Sequence, residues 1–331
     1  MRAPHQMMAT ATTQTEKEKP RRFKFIPRHD VVRSLLSLST LVYSYGDTWS
    51  LPDKTIPQDK PYAKNIDLKK DVPEEDREKY EIKQSVDWLN KVAPRGKVAS
   101  FVNVNRTDLQ AAVTSSATRG AVAVVFRGSE SAKDWLYDIW IRKRQLSQPG
   151  VWVHDGFYEQ LWGDGAYVKL RKALRKELTR FPFRKIYVTG HSLGGALCTL
   201  CGYHLAIDMP DRDIIVVSFA APRVGNSKFK EACKGLKNLH QLRIVNHGDI
   251  VTTIPWFAYQ HVGDAIKQYD SDVKFLHEDK GWNKFWEFNM FNRPLAIPFT
   301  YHGTKVYWER FLANRRKWPS KRWGGYCMGV R

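Results

Sequence analysis

Residues 185–200, KIYVTGHSLGGALCTL, constrain this chain more than any other stretch. An apolar run, Ile186–Val188, leads directly into Gly190-His191-Ser192-Leu193-Gly194, and the small residues Gly195 and Ala196 follow. The run reads as a strand and the small-residue segment as the start of a helix, so Ser192 falls on the turn between them. A G-x-S-x-G alone is a weak pattern. Placed between a strand and a small-residue helix, it describes a serine held in strained backbone geometry. Glycines two residues either side are needed because a Cβ there would collide with neighbouring backbone. Such a turn puts the Ser192 hydroxyl in the open over a helix N-terminus, where developing negative charge is favoured.

The rest of the chain supplies the sheet such a turn requires. Val98–Val104, Ala121–Phe126, Lys185–Thr189, Ile214–Phe219 and Leu239–Asn246 read as strands; the wholly apolar second one belongs at the centre. Residues 76–93, Asp155–Thr179, Leu193–Leu205 and Ser227–Lys234 read as helices. An earlier helix near 31–44 has Asp30 as its N-cap. Most of Val32, Leu35, Leu36, Leu38, Leu41 and Val42 fall on one face, with Ser34, Ser37 and Thr40 on the other. Residues 47–75, rich in Pro, Asp and Lys, read as a loop. Strand-then-helix order repeated along the chain predicts an α/β fold, a mostly parallel central sheet flanked by helices. With 331 residues, 42% hydrophobic, there is enough chain for a substantial core.

Three segments are expected: a disordered basic stretch over 1–28, one α/β domain over 29–312, and a basic aromatic tail over 313–331. The net charge of +20 bears on partners, not on fold. Anionic membrane and nucleic acid are the two candidates, beside a merely solvated basic surface. Zinc-ligand pairs, an RNP signature and a basic zipper are all missing from the sequence, so no nucleic-acid partner is expected. No stretch reaches about 18 uninterrupted apolar residues, and the N-terminus lacks the short apolar core of a secretory signal. An organelle transit peptide fits the Thr-rich, basic start, but Glu16 and Glu18 argue against it. Cys198 and Cys201 form a C-x-x-C one turn apart on a helix, where cysteine is ordinarily a small core residue. The four cysteines and the missing signal point to an intracellular setting.

GHSLGGAL resembles the nucleophile segment of the class 3, fungal-type triacylglycerol lipases of the α/β-hydrolase superfamily. VVFRGSESAKDW (124–135), VHDGF (153–157), SFAAPRVGN (218–226), RIVNHGDIVTTIP (243–255) and YQHVG (259–263) extend the likeness in the same order, over about 98–308. The resemblance implies a serine ester hydrolase with its partners in the order Ser, Asp, His. Asp249 is the expected acid. It follows the strand Leu239–Asn246, and its context through Pro255 matches the family's D-x-V-x-x-x-P; Asp264 and Asp270 are weaker alternatives. His302, in FTYHGTKVYWERF, matches the family's late base in place and spacing, with His261 as the alternative. His191 is expected to pack inside. The oxyanion donors implied are the backbone N–H of Leu193 and that of Ser129, with its hydroxyl as an additional donor.

Family members carry a lid where this chain has AKDWLYDIWI, residues 132–141. Trp135, Leu136, Ile139 and Trp140 form its apolar face, which suits a mobile cover or a helix packed permanently on the core. The segment 275–291 holds Phe275, Trp282, Phe285, Trp286, Phe288, Met290 and Phe291, and the tail adds Trp318, Trp323 and Tyr326. These aromatics suit contact with an anionic lipid surface, or, for 275–291, packing inside the domain. The leading expectation is therefore a lipase-like carboxylic-ester hydrolase that needs no metal or cofactor. A non-catalytic lipid- or partner-binding relative is the alternative, and the complete Ser, Asp and His set argues against it.

Overall fold

The computed structural model describes residues 26–49, 82–93, 96–129, 142–181, 185–255, 257–276 and 299–319. Among the described residues two helices come first, α1 (His29–Trp49) and α2 (Ile82–Val92). Strands β1 (Gly96–Val104), β2 (Leu109–Ser116) and β3 (Ala121–Phe126) follow, then a small hairpin of β4 (Lys143–Gln145) and β5 (Trp152–His154). After α3 (Asp155–Trp162) and α4 (Ala166–Arg180) come β6 (Lys185–His191), α5 (Leu193–Asp208), β7 (Ile214–Phe219), α6 (Ser227–Gly235) and β8 (Leu239–Asn246). The last elements are β9 (Asp264–Gln268), β10 (Val273–Leu276) and α7 (Thr304–Ala313).

Among the described residues the main sheet runs β1-β2-β3-β6-β7-β8-β9-β10. Its middle, β3 through β9, is parallel, and antiparallel strands close both ends. The apolar runs AVAVVF, IYV and IIVV lie in that middle because helices cover both faces. Phe157, Leu161, Leu170, Leu174 and Leu197 fill one side under α3, α4 and α5. Leu36, Leu41, Val42, Leu89, Phe101, Trp308 and Phe311 fill the other, under α1, α2 and α7.

Several expectations change here. Helix α1 begins earlier than its pattern suggests, since the N–H groups of Val31 and Val32 both bond to the Arg28 carbonyl. Asp30 thus lies inside the first turn, paired with Arg28 and Arg119, and is not the N-cap. Ser37 and Thr40 are buried, not solvent-facing, because α1 is enclosed on several sides. Thr40 donates to the Leu36 carbonyl, while Ser39, also buried, meets the Thr189 hydroxyl at 3.1 Å. The long helix expected over 155–179 breaks at Gly163–Gly165, where Asp164 and Gly165 take φ of 48° and 70°.

The ends of the domain also reach further than expected. Ile26 packs on the core, and the Pro27 carbonyl accepts a 3.2 Å bond from the Trp318 indole. Trp318 is buried against His29 and Phe311, so it is a core residue and not a lipid contact. Cys198 and Cys201 are free, fully buried thiols on α5. Residues 1–25, the aromatic segment beyond Leu276 and the tail beyond Pro319 lie outside the described residues, as does the expected lid with Trp135, Leu136, Ile139 and Trp140.

Candidate active site

Ser192 joins β6 to α5 with φ 58° and ψ −125°, a conformation that L residues adopt at a cost of about 1–3 kcal/mol. The surroundings hold it there. Its N–H donates to the Phe219 carbonyl of β7 at 2.9 Å, and the carbonyls of Phe126 and Arg127 fill the space a Cβ on Gly194 would need. A Cβ on Gly190 would likewise strike the Gly194 backbone. These two glycines let the elbow, the end of β3 and the first turn of α5 meet backbone to backbone.

The chain returns to this point twice. Strand β8 ends beside the elbow, and Gly248, with φ 94°, turns the chain so that Asp249 points inward. The turn before α7 then brings in His302. His302 Nε2 lies 2.8 Å from Ser192 Oγ, and its Nδ1 lies 3.0 and 3.1 Å from the two Asp249 oxygens. A carboxylate only accepts, so Nδ1 carries the proton and Nε2 presents its lone pair to the serine hydroxyl. This is the tautomer a general base requires.

Asp249 is tied down by more than the histidine. The Val251 N–H donates to Oδ1 at 3.0 Å, and the Tyr307 hydroxyl donates to Oδ2 at 2.7 Å. Tyr307 in turn accepts the Asn246 N–H at 2.9 Å. Burial first, and then the negative charge of Asp249, push the Tyr307 phenol well above its ordinary pKa, which keeps it a donor. Asn246 also acts through its side chain, whose amide donates to the Tyr301 carbonyl at 3.1 Å and whose oxygen accepts from Gln268 at 3.2 Å. Acid and base are therefore held from the end of one strand.

The loop after β3 lies against the elbow. A Cβ on Gly128 would come within 2.7 Å of the His191 carbonyl, so Arg127-Gly128-Ser129 runs directly past the nucleophile. The first N–H groups of α5, Leu193 among them, have no carbonyl earlier in their own helix to bond. This loop and the first turn of α5 thus adjoin at the elbow.

The structure brings Ser192, Asp249 and His302 together and leaves the alternatives elsewhere. His261 Nε2 donates to the Thr252 carbonyl at 2.6 Å, and Arg223 bonds the carbonyls of Thr253 and Pro255. Both anchor the loop that follows Asp249. Asp264 opens β9, and Asp270 pairs with Arg310 at 2.6 Å. His191 packs inside, as expected. Ser192 does not stand in the open: it is 1% exposed, because the His302 ring and the Gly128 loop close over the turn. Tyr307, Asn246 and Gln268 were missed, since a tyrosine five residues past a histidine carries no recognisable pattern. Among the described residues no cluster of three His, Cys, Asp or Glu side chains could hold a metal.

A strained serine at the C-terminal edge of a parallel sheet, followed in the chain by its acid and then its base, defines a member of the α/β-hydrolase superfamily. Residues 123–259 match the family described as lipase (class 3). A lipase from Rhizopus niveus is 30% identical over 207 residues, 59% of this chain and 50% of its own length. A chloroplastic phospholipase A(1) from Arabidopsis thaliana is 31% identical over 156 residues, 41% of this chain and 34% of its own. Among solved structures, a lipase from Rhizopus microsporus var. chinensis superposes with a TM-score of 0.52 at 27% identity, covering 58% of this chain and 68% of that one. Over this segment the chain is similar to the class 3 lipases. It spans half or less of the length of these two curated relatives.

Proposed function

We propose that this protein hydrolyses carboxylic esters of acyl lipids, with Ser192 as nucleophile. The observation that carries the reading is the 2.8 Å approach of His302 Nε2 to Ser192 Oγ, with Asp249 bonded to the other ring nitrogen. Ser192 attacks the ester carbonyl while His302 takes its proton, and Asp249 stabilises the imidazolium that forms. The amides of Ser129 and Leu193 receive the developing oxyanion; losing one such donor typically costs about 10²–10³ in rate. His302 then protonates the leaving alcohol, and a water deacylates the serine by the same route in reverse.

Triacylglycerol, diacylglycerol, phospholipid and galactolipid are the candidate substrates. The relatives named lipase and phospholipase A(1) support an acyl-lipid substrate. The same proposal includes an intracellular, peripheral contact with an anionic lipid surface, supported by the net charge of +20. It also includes a cover that opens over Ser192, the role expected of Trp135, Leu136, Ile139 and Trp140. The test pairs fluorophosphonate labelling with a lipid-class panel on the purified chain. Labelling at Ser192 and release of fatty acid are expected. A chain that neither labels nor releases fatty acid from any lipid class refutes the reading.

A further inference from the structure

Two groups beside the triad have no part in the chemistry above, the imidazole of His191 and the phenol of Tyr43. His191 is 4% exposed, and its ring lies 4.9 Å from that of His302, centroid to centroid. Its Nε2 is 2.8 Å from the backbone carbonyl oxygen of His302. A carbonyl only accepts, so the proton sits on Nε2. Burial first, and then the neighbouring His302, push the His191 pKa down to about 3. The ring is therefore neutral, and Nδ1 presents a lone pair. The Tyr43 hydroxyl, reaching over from α1, lies 3.1 Å from that nitrogen and donates to it. The same hydroxyl occupies the space a Cβ on Gly128 would need, so it also abuts the loop that leads to Ser129.

We propose that Tyr43 and His191 form a positioning relay for the catalytic base: the phenol fixes the His191 tautomer, and that tautomer's Nε2–H holds the backbone of His302. The proposal rests on the hydrolase reading. Its logic is geometric. Two successive carbonyls of the turn that carries the base are each held by a side chain from the sheet, Tyr301 by Asn246 and His302 by His191. With the His191 proton on Nδ1, two lone pairs would face each other at 2.8 Å and the second restraint would become a repulsion. A misplacement of about 1 Å at the base can cost about 10²-fold in rate, so a restraint on the backbone that carries the ring matters. Tyr43 lies outside residues 123–259, the segment that matches the family. Helix α1 thus supplies the site with a part that the matched segment does not contain.

The test uses the full chain with Tyr43→Phe, a nearly isosteric change. Turnover of a soluble ester is measured beside imidazole ¹⁵N spectra of His191 in parent and variant. The parent is expected to carry the His191 proton on Nε2. In the variant kcat should fall about tenfold, the effect of one buried hydrogen bond, while KM stays within about twofold. The His191 signal should become a mixture of tautomers. A merely structural tyrosine would lower stability without moving the tautomer. A parent proton on Nδ1, or a variant with unchanged kcat and unchanged tautomer, overturns the relay. If the variant does not fold, the parent spectrum still decides whether His191 can hold His302. If the parent hydrolyses no ester, the hydrolase reading fails, and the tautomer comparison still judges the link from Tyr43 to His191.

Discussion

Replacing Tyr307 by Phe removes one oxygen from the interior and little else. That oxygen donates to Asp249 Oδ2 at 2.7 Å and accepts from the Asn246 N–H at 2.9 Å. The ring is fully buried, so water cannot replace either bond. A hydrogen bond to a charged group contributes about 1.5–3 kcal/mol, and an orphaned buried N–H costs about 1–3 kcal/mol, so a loss on the order of 3 kcal/mol is expected. Asp249 keeps the Val251 N–H and the His302 ring, so it stays in place but turns more freely. Turnover should fall on the order of tenfold with KM unchanged, far short of the several orders that follow removal of a triad member. Urea unfolding read by tryptophan fluorescence, beside kcat on a soluble ester, measures both quantities. A variant within about 0.5 kcal/mol of the parent, with kcat within about twofold, refutes the argument that this phenol supports the acid. The sign of the alkaline effect follows as well. A phenol whose pKa is raised by folding contributes stability that is fully present below about pH 10 and lost as pH rises above it, because the unfolded chain releases the proton first. The variant should lose that part of the alkaline destabilisation.

Ser192→Gly should abolish hydrolysis and yet raise stability by about 1 kcal/mol, because glycine tolerates a φ of 58° that serine does not; a chemical melt reads it, and a destabilised variant would refute stored strain at the elbow. Gly194→Ala should destabilise by about 1–3 kcal/mol or more, since its methyl meets the carbonyls of Phe126 and Arg127; a neutral effect in the same melt would contradict the close approach. His191, His204 and His261 all have pKa values lowered by burial, the first two to about 3 and about 4. Their contribution is complete above the unfolded value of about 6.5 and is lost as pH falls below it, by about 1.4 kcal/mol per pH unit for each histidine. Stability measured from pH 7 to 4 should therefore fall steeply, and a flat profile would count against their burial. His261→Ala should lower stability while leaving turnover within about tenfold, whereas His302→Ala should lose several orders; the reverse pattern would exchange their roles.

The parts legible in the sequence are those whose signal is local. The elbow declares itself because strand, glycine spacing and small-residue helix adjoin one another, and β3, β7 and β8 because their apolar runs are short and bounded. Strand β2, LQAAVTSS, ends in three polar residues that are nonetheless buried, so its pattern does not alternate. Strands β9 and β10 mix charge with apolar residues because they lie at an edge. The triad partners were found from chain order and resemblance, but their supports were not. Tyr307, Asn246, Gln268 and Tyr43 act across long sequence separations through single hydrogen bonds, and no spacing rule records such a bond. Asp30 and Trp318 misled for a related reason: an aspartate before a helix and a tryptophan among lysines look the same whether or not a distant partner claims them.

The closure of the domain at His29, Phe311 and Trp318 has a consequence for the charge outside it. His29 stacks on Phe311 at 4.1 Å, and the Trp318 indole bonds the Pro27 carbonyl. The chain therefore enters and leaves the domain at one spot. Arg21, Arg22 and Lys24 on the way in, and Lys321 and Arg322 on the way out, are attached to a common root a few residues from each group. If the proposed contact with an anionic surface engages one of these groups, the other would meet that surface as an intramolecular partner, at an effective concentration set by the root and not by the protein in solution. On that proposal their attractions, about 1 kcal/mol for each Lys or Arg near such a surface, would add as in a two-point tether, and removing either group would weaken the hold of the other.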